Sequence, residues 1–235
     1  MVIAVDYVVL TQTPGEVAGL LAGLTPEEKA RAARLKRMED QALYVAAHAL
    51  LHAAVFQATG QRPRGFRRGE QGKPELDPGF GDPPLAFSLA HARGLVACAL
   101  APGMALGVDV ERIEPGVDGA GIAAMQFAAS ERAALAAAPA ARRAELFHRI
   151  WTLREAVAKA LGEGLGRGAA FAVALDPLAL DRAAEDAARG LAWHLEECAA
   201  VPGWRMALAA RHPASPPPAV CWREIGLAEL AARLP

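Results

Sequence analysis

The order of the predicted helices and strands constrains the fold of this chain more than any other feature. A β-branched, apolar run at Val2–Leu10 predicts a strand. A helix then begins at Thr25, with Pro26 at the first helical position and acids in the first turn, and ends before Gly60, allowing one break. The segment Gly60–Pro84 is rich in Gly, Pro and charge and is interpreted as loops. Three further strands are predicted at Leu85–Leu89, Gly94–Leu100 and Ala105–Ile113.

The second half repeats the sequence of helix followed by strands. Alanine, the strongest helix former, makes up 56 of the 235 residues, and the alanine-rich part predicts helices at Gly121–Ala128, Ser130–Ala138 and Ala141–Gly162. Later strands are predicted at Phe171–Leu175, Leu191–Glu196, Trp204–Ala210 and Ala219–Trp222, before a short helix at Ile225–Leu234. We therefore expect an α+β protein of two halves, 1–103 and 104–235, each with antiparallel strands and packed helices.

Charge and cysteine content exclude several classes of protein. A net charge of -1 argues against a strongly basic nucleic-acid-binding protein, so any anion site must be a local cluster. The longest uncharged apolar stretch, Gly94–Val108, is interrupted by Pro102 and is too short to cross a bilayer. The three cysteines lack metal-binding spacing. We expect a cytoplasmic monomer that binds neither nucleic acid nor membranes.

Two acidic residues lie at alternate positions of the predicted strand Ala105–Ile113. Side chains alternate along a strand, so Asp109 and Glu111 share one face, opposite Val108 and Val110. Two neighbouring carboxylates repel each other unless a cation lies between them, and hard oxygen ligands suit Mg²⁺. Two solvated acids on an exposed strand face would explain the same pattern, and for the pair alone that is the simpler reading.

The predicted helix Ala141–Gly162 carries a second charged group. Glu155 and Lys159 are four residues apart and share a face, and Trp151 lies one turn earlier on that face. Considered alone, the charged pair is typical of a surface ion pair and the tryptophan of a core residue.

Two shorter segments carry possible anion-binding side chains. In Phe87-Ser88-Leu89-Ala90-His91 the alternation ends in a histidine at a predicted hairpin tip, and in Gly72-Lys73-Pro74 a proline stiffens the chain after a lysine. Each alone is more typical of a surface turn.

These four segments in this order resemble the 4'-phosphopantetheinyl transferases of the surfactin-synthetase-activating type. The resemblance covers essentially the whole chain, including the basic helix Thr25–Asp40, the Gly162-Glu163-Gly164-Leu165 turn and the Gly203–Ala207 strand. It implies two similar α+β halves related by a pseudo-two-fold axis, with the active site at their junction. It also implies transfer of 4'-phosphopantetheine from coenzyme A to a serine of an apo carrier protein, with release of adenosine 3',5'-bisphosphate.

The resemblance assigns roles to individual residues. Asp109, Glu111 and Glu155 would hold Mg²⁺, Lys159 would contact the pyrophosphate, and Glu155 is also the proposed base. Coenzyme A, as the substrate, would be bound by the residues at the matching family positions, Arg31, Lys73, Ser88, His91 and Lys159.

The chain also departs from the family pattern. Ala90 stands where the family has a serine beside the histidine, and Leu43 and Glu28 stand at positions that are basic in the family. Arg154 replaces a lysine and keeps its charge. The resemblance implies that the segment Gly116–Ala134 receives the carrier protein. Its apolar side chains Ile122, Met125 and Phe127 are either contacts for the carrier or simply core residues of a short helix.

Two other functions remain open. The losses at Ala90 and Leu43 would suit a non-catalytic module that binds coenzyme A or a carrier protein, although the intact acidic set argues for an enzyme. A different Mg²⁺-dependent phosphoryl-transfer enzyme is disfavoured because neither a P-loop nor a kinase signature is present.

Overall fold

The computed structural model describes residues 1–235 except 12, 14, 64, 70–72, 78–79, 81–82, 118, 163–170 and 214–215, and except the side chain of Arg68. The described chain divides into two compact units, Met1–Met104 with Pro218–Pro235, and Ala105–Pro217. The expected halves, 1–103 and 104–235, differ from these units chiefly at the C-terminal end. The residues from Pro218 onward belong to the first unit because their strand pairs with the first strand of the chain.

A four-stranded sheet forms the centre of the first unit. Strand β1 (Val2–Val9) is antiparallel to β5 (Leu95–Pro102), which in turn pairs with β4 (Leu85–Ala92). On the other side of β1, β11 (Ala219–Glu224) pairs in parallel. The sheet is therefore mixed, because β11 runs alongside β1 in the same direction. Only antiparallel pairing was expected.

Helices cover one face of this sheet. The helix expected from Thr25 is two helices, α1 (Pro26–Ala33) and α2 (Met38–Thr59), and α2 ends where Gly60 adopts the left-handed conformation. A short 3-10 helix and the C-terminal α7 pack against α2 in the same core, at Ala18–Gly23 and Leu227–Arg233. The expected break thus lies between α1 and α2.

By length and composition, α2 could cross a membrane. Its most apolar window is 56% buried inside the unit, a value that the core helix of a soluble protein also shows. Residues such as Val45, Ala49 and Leu50 are fully buried in the core beneath the helix.

The segment 60–84 contains regular structure that was predicted as loops. Strands β2 (Phe66–Arg68) and β3 (Pro74–Leu76) form a small antiparallel hairpin. These strands were not predicted because they are only three residues long and lie among Pro74 and several glycines, which are typical of loops.

The second unit is built around a three-stranded antiparallel sheet. Strand β10 (Trp204–Pro213) lies between β6 (Ala105–Arg112) and β9 (Leu191–Cys198). Helix α5 (Ala140–Leu161) packs across β6 and β10, preceded by α3 (Gly119–Gln126) and α4 (Ala129–Ala137). The remaining elements are a small hairpin and a short helix, namely β7 (Val173–Leu175), β8 (Leu178–Leu180) and α6 (Ala183–Ala187).

One glycine sets the distance between α5 and β6. A Cβ atom at Gly107 would lie 1.8 Å from the Ala156 carbonyl oxygen and 2.6 Å from the Ala160 nitrogen. Only glycine allows the two backbones to approach this closely. The predicted α+β class with packed helices is confirmed, and the pseudo-two-fold relation stays a prediction.

Candidate functional site

The acidic residues of β6 face the charged residues of α5. Lys159 Nζ lies 2.7 Å from Asp109 Oδ1 and 3.1 Å from the Val108 carbonyl oxygen. About two turns before Lys159 on the helix, Trp151 donates its Nε1–H to Glu111 Oε1 at 3.0 Å. The structure therefore brings together both sequence motifs, and Trp151 contacts the acidic group as well as stacking on Phe147.

The three carboxyl groups of this cluster are held in conditions that disfavour their charge. Burial raises the pKa of Glu111 to about 7, with added repulsion from Asp109 and Glu155, against the Trp151 hydrogen bond. Burial also raises the pKa of Asp109, although Lys159 and the Val110 N–H act in the opposite direction. The pKa of Glu155 is raised by burial and then by the charge of Asp109. A cation placed among them would relieve this mutual repulsion.

The donor set fits a hard divalent cation. Asp109 Oδ2 is buried and has no hydrogen-bond partner among the residues that the structure describes, while Oδ1 contacts Lys159. Oxygen-only donors of this type suit Mg²⁺. As the side chains stand, no three His, Cys, Asp or Glu residues of the described chain form a ready metal-binding group.

Arg154 occupies a different environment from its neighbour Glu155. Its guanidinium is fully buried and donates to Glu131 and to the Phe171 carbonyl oxygen at 2.8–2.9 Å. The charge expected at this position is kept and is paired with Glu131 within the core, although Nε and Nη2 of the guanidinium have no hydrogen-bond partner among the described residues.

The first unit holds a second group of expected residues around a cavity of about 680 Å³. Arg31 of α1 and His91 of β4 both line it, and the Arg31 guanidinium lies 5.7 Å from the centre of the Tyr44 ring. Pro74 lines it as well, and Lys73 directly precedes Pro74. Arg31 and His91 therefore line the same cavity, and their binding of coenzyme A stays a prediction.

Ser88 is not brought to this cavity. It is three residues from His91 on the same strand, so the two side chains are on opposite faces of the sheet. Ser88 is buried, as is Ala90 on its face. Leu43 is a core residue, which explains why an apolar side chain suits a position expected to be basic.

Sequence reasoning missed two histidines beside Glu28 at this cavity, His48 and His52. Glu28 accepts hydrogen bonds from His48 and His52, and both Glu28 and His48 line the cavity. The spacing of Tyr44, His48 and His52, each four residues from the next, is the signal that could have revealed a polar stripe on an otherwise apolar helix.

The segment expected to receive the carrier is partly core. Phe127 is 3% exposed, and Ile122 packs against the same core, whereas Met125 is 72% exposed. Of the three apolar side chains, Met125 alone is largely available at the surface. Gly72 and the turn residues Glu163, Gly164 and Leu165 lie outside the described residues.

Comparisons with known proteins agree with the motifs. The family model described as "4'-phosphopantetheinyl transferase superfamily" matches residues 105–209, which hold the acidic cluster. The chain is 30% identical over 170 residues to 4'-phosphopantetheinyl transferase HetI of Nostoc sp., covering 72% of both chains. It is 28% identical over 154 residues to a Bacillus subtilis 4'-phosphopantetheinyl transferase, covering 64% of this chain and 66% of that protein. With AcpT of Escherichia coli it shares 36% identity over 94 residues, 40% of this chain and 47% of AcpT.

Proposed function

Because the chain belongs to the 4'-phosphopantetheinyl transferase superfamily, we propose that it moves the 4'-phosphopantetheine group of coenzyme A to a serine of an apo carrier protein. Adenosine 3',5'-bisphosphate is the second product. The observation that carries the proposal is the group formed by Asp109, Glu111 and Glu155 with Lys159 beside it, in a segment that the family model matches.

The reaction breaks one phosphoanhydride bond and forms one phosphoester bond. The carrier serine oxygen attacks the phosphorus next to pantetheine, the bond to the bridging oxygen breaks, and the bisphosphate leaves with that oxygen. The serine proton passes to a base. Charge spreads over the phosphoryl oxygens during this step, so positioned cations favour it.

The residues of the second unit have distinct tasks in this proposal. Asp109, Glu111 and Glu155 would hold Mg²⁺, which when bound neutralises the charge of the pyrophosphate. The Lys159 ammonium contacts the pyrophosphate and stabilises the leaving group. Glu155 accepts the serine proton, directly or through a water, and its raised pKa suits that task better than an ordinary carboxylate would.

The residues of the first unit would bind the nucleotide. Arg31 and His91, which line the 680 Å³ cavity, supply positive charge and hydrogen-bond donors for phosphate, and Lys73 lies next in the chain to a cavity residue. Ser88 faces away from this cavity and is not needed for the assignment.

The direct test is a transfer assay with intact protein, coenzyme A, Mg²⁺ and apo acyl, peptidyl or aryl carriers. One carrier should gain the mass of a single phosphopantetheine, and replacing its serine by alanine should prevent the gain. Unchanged mass for every carrier would overturn the proposal. Binding of coenzyme A without turnover would instead support the non-catalytic binding module.

Variants of the cluster provide the matched comparison. Asp109→Asn and Glu155→Gln should abolish transfer because each removes a carboxylate charge. Glu185→Gln, an exposed acid on α6, should not change the rate. Equal activity of all three variants would refute the assignment of the acidic cluster.

A further inference from the structure

A buried carboxylate of α1 holds two histidines of α2. His48 Nδ1 lies 2.7 Å from Glu28 Oε1, and His52 Nε2 lies 3.1 Å and 2.9 Å from the two oxygens of the same group. Glu28 Oε2 also accepts the Thr25 backbone N–H at 2.8 Å, as part of the capping box of α1. The position of Glu28 is thus fixed from three directions.

The bonds to Glu28 keep it ionised. Burial by itself would raise its pKa, but the hydrogen bonds from His48, His52 and Thr25 hold that pKa well below its usual value. The Glu28 side chain is only 7% exposed, so its charge is screened little by solvent. A fixed buried anion next to an imidazole sets the orientation of the ring.

The second ring nitrogen of His48 is left for a ligand. His48 Nε2 makes no hydrogen bond to any residue that the structure describes, while its ring lines the 680 Å³ cavity. His52, by contrast, is 2% exposed and turns its Nε2 to Glu28. Only one of the two histidines can therefore meet a molecule in the cavity.

The cavity around His48 also carries other donors that can meet an anion. The charged and titratable groups that line it are Glu27, Glu28 and Arg31 of α1, Tyr44 of α2, Arg67 of β2 and His91 of β4, and His52 contacts Glu28 behind it. Arg67 pairs with Glu75, and Glu28 accepts hydrogen bonds from the two histidines, while the Arg31 guanidinium lies 5.7 Å from the centre of the Tyr44 ring at the cavity.

We propose that His48, oriented by Glu28, donates a hydrogen bond from Nε2 to a phosphate monoester bound in this cavity. The identification of that group as the 3'-phosphate of coenzyme A rests on the proposed function. With Nδ1 donating to Glu28, donation from Nε2 requires the protonated ring.

Two substitutions separate the two nitrogens of the ring. The amide nitrogen of His48→Asn can replace Nδ1 and keep the bond to Glu28, whereas that of His48→Gln can replace Nε2 and lose this bond. His194→Asn, in the second unit, is the matched control. Calorimetry with coenzyme A and with 3'-dephospho-coenzyme A then isolates the contribution of the phosphate monoester.

The Asn variant should bind coenzyme A roughly tenfold more weakly, as expected for one lost hydrogen bond to a charged group, and keep the thermal stability of the parent protein. Its affinity for the dephosphorylated ligand should be unchanged. The Gln variant should lose stability yet retain more of the affinity.

Tight binding of coenzyme A by His48→Asn, or an equal loss for both ligands, would overturn this inference. Either result leaves the transfer activity of the parent protein standing. Conversely, if the parent protein modifies no carrier, the proposed function fails, and the comparison of adenosine 3',5'-bisphosphate with adenosine 5'-phosphate still tests the phosphate site.

Discussion

Lys159 Nζ and Asp109 Oδ1 are 2.7 Å apart, which joins α5 to β6 by an ion pair next to an unsatisfied buried oxygen, Asp109 Oδ2. The Asp109 side chain is 8% exposed and that of Lys159 is 31% exposed. The pair is therefore sheltered from solvent on one side and open to a ligand on the other. This arrangement links the stability of the second unit to the charges on which the proposed reaction depends.

Replacing Lys159 by methionine should lower the transfer rate roughly 100-fold or more, because a positioned cation at a developing charge is lost. The variant should also raise the pKa of Asp109 further, since its nearest cation is gone. Steady-state kinetics and melting temperatures at pH 5 and pH 8 measure both effects. Lys36→Met, an exposed lysine between α1 and α2, is the control. A fully active Lys159→Met would contradict the assignment.

Glu111 should make stability depend on pH and on Mg²⁺. Its pKa of about 7 exceeds the ordinary value of 4.5, so the folded protein binds the extra proton and loses stability as pH rises between these values. Allowing for solvent screening, the loss is about 2 kcal/mol at pH 8. In EDTA, Glu111→Gln should therefore gain stability over the parent protein at pH 8 but not at pH 4.

Added Mg²⁺ supplies the matching control for Glu111. It should raise the melting temperature of the parent protein at pH 8 more than that of Glu111→Gln, because ligand binding to the folded state stabilises it. The same difference between the two proteins at pH 4 and pH 8, with or without Mg²⁺, would refute this account.

Gly107→Ala should damage the second unit. The new Cβ would meet the Ala156 carbonyl oxygen at 1.8 Å, so α5 must move away from β6. We expect a loss of about 3 kcal/mol in the free energy of unfolding, at the upper end for overpacking, together with loss of transfer. Gly19→Ala, which meets no atom within 4 Å, should leave the stability of the protein within about 0.5 kcal/mol of the parent. Parent-like denaturation of Gly107→Ala would be inconsistent with the close approach.

Glu28→Gln should destabilise the first unit at neutral pH by about 2 kcal/mol, because it weakens the capping box and two histidine bonds. The lowered pKa means that this stability is complete above pH 4.5 and is lost as the pH falls through the folded-state value. Urea denaturation should show the difference from the parent protein shrinking below about pH 4. Glu27→Gln, at the preceding position, should show neither the loss of stability nor its dependence on pH.

Met125→Asp should weaken carrier binding specifically. The Met125 side chain is 72% exposed on α3, within the segment expected to receive the carrier. We expect the KM for the carrier to rise roughly tenfold, the scale of one interface anchor, with kcat and coenzyme A binding unchanged. Met38→Asp provides a control of equal exposure, 71%, on α2. An unchanged KM in both variants would move the docking surface elsewhere.

The sequence predicted the parts of the fold that have strong local signals. Thr25 with Glu28 and Gly60 mark the beginning of α1 and the end of α2 because their capping bonds and left-handed backbone are local properties. The parallel partner of β1 was not predicted, since the pairing of Val2 with Ala219 joins residues at opposite ends of the chain. No local pattern encodes such a contact.

The same distinction applies to the candidate site. Asp109, Glu111 and Lys159 were found because alternation on a strand and spacing on a helix place them on defined faces. The partner of Arg154 was not predicted, because Glu131 lies on a different helix, where it accepts hydrogen bonds from Arg154 and from the Val173 N–H. Ser88 was assigned to the same ligand as His91 by the family resemblance, although strand alternation alone puts their side chains on opposite faces.

The position of β11 beside β1 has a consequence for biosynthesis. The second unit is one continuous stretch of chain, Ala105–Pro217, and its sheet can assemble as soon as that stretch leaves the ribosome. Most of the first unit is made before the second unit, yet its sheet lacks an edge strand until β11 is made. We therefore expect the N-terminal unit to be the last to finish folding, the reverse of the usual order during translation.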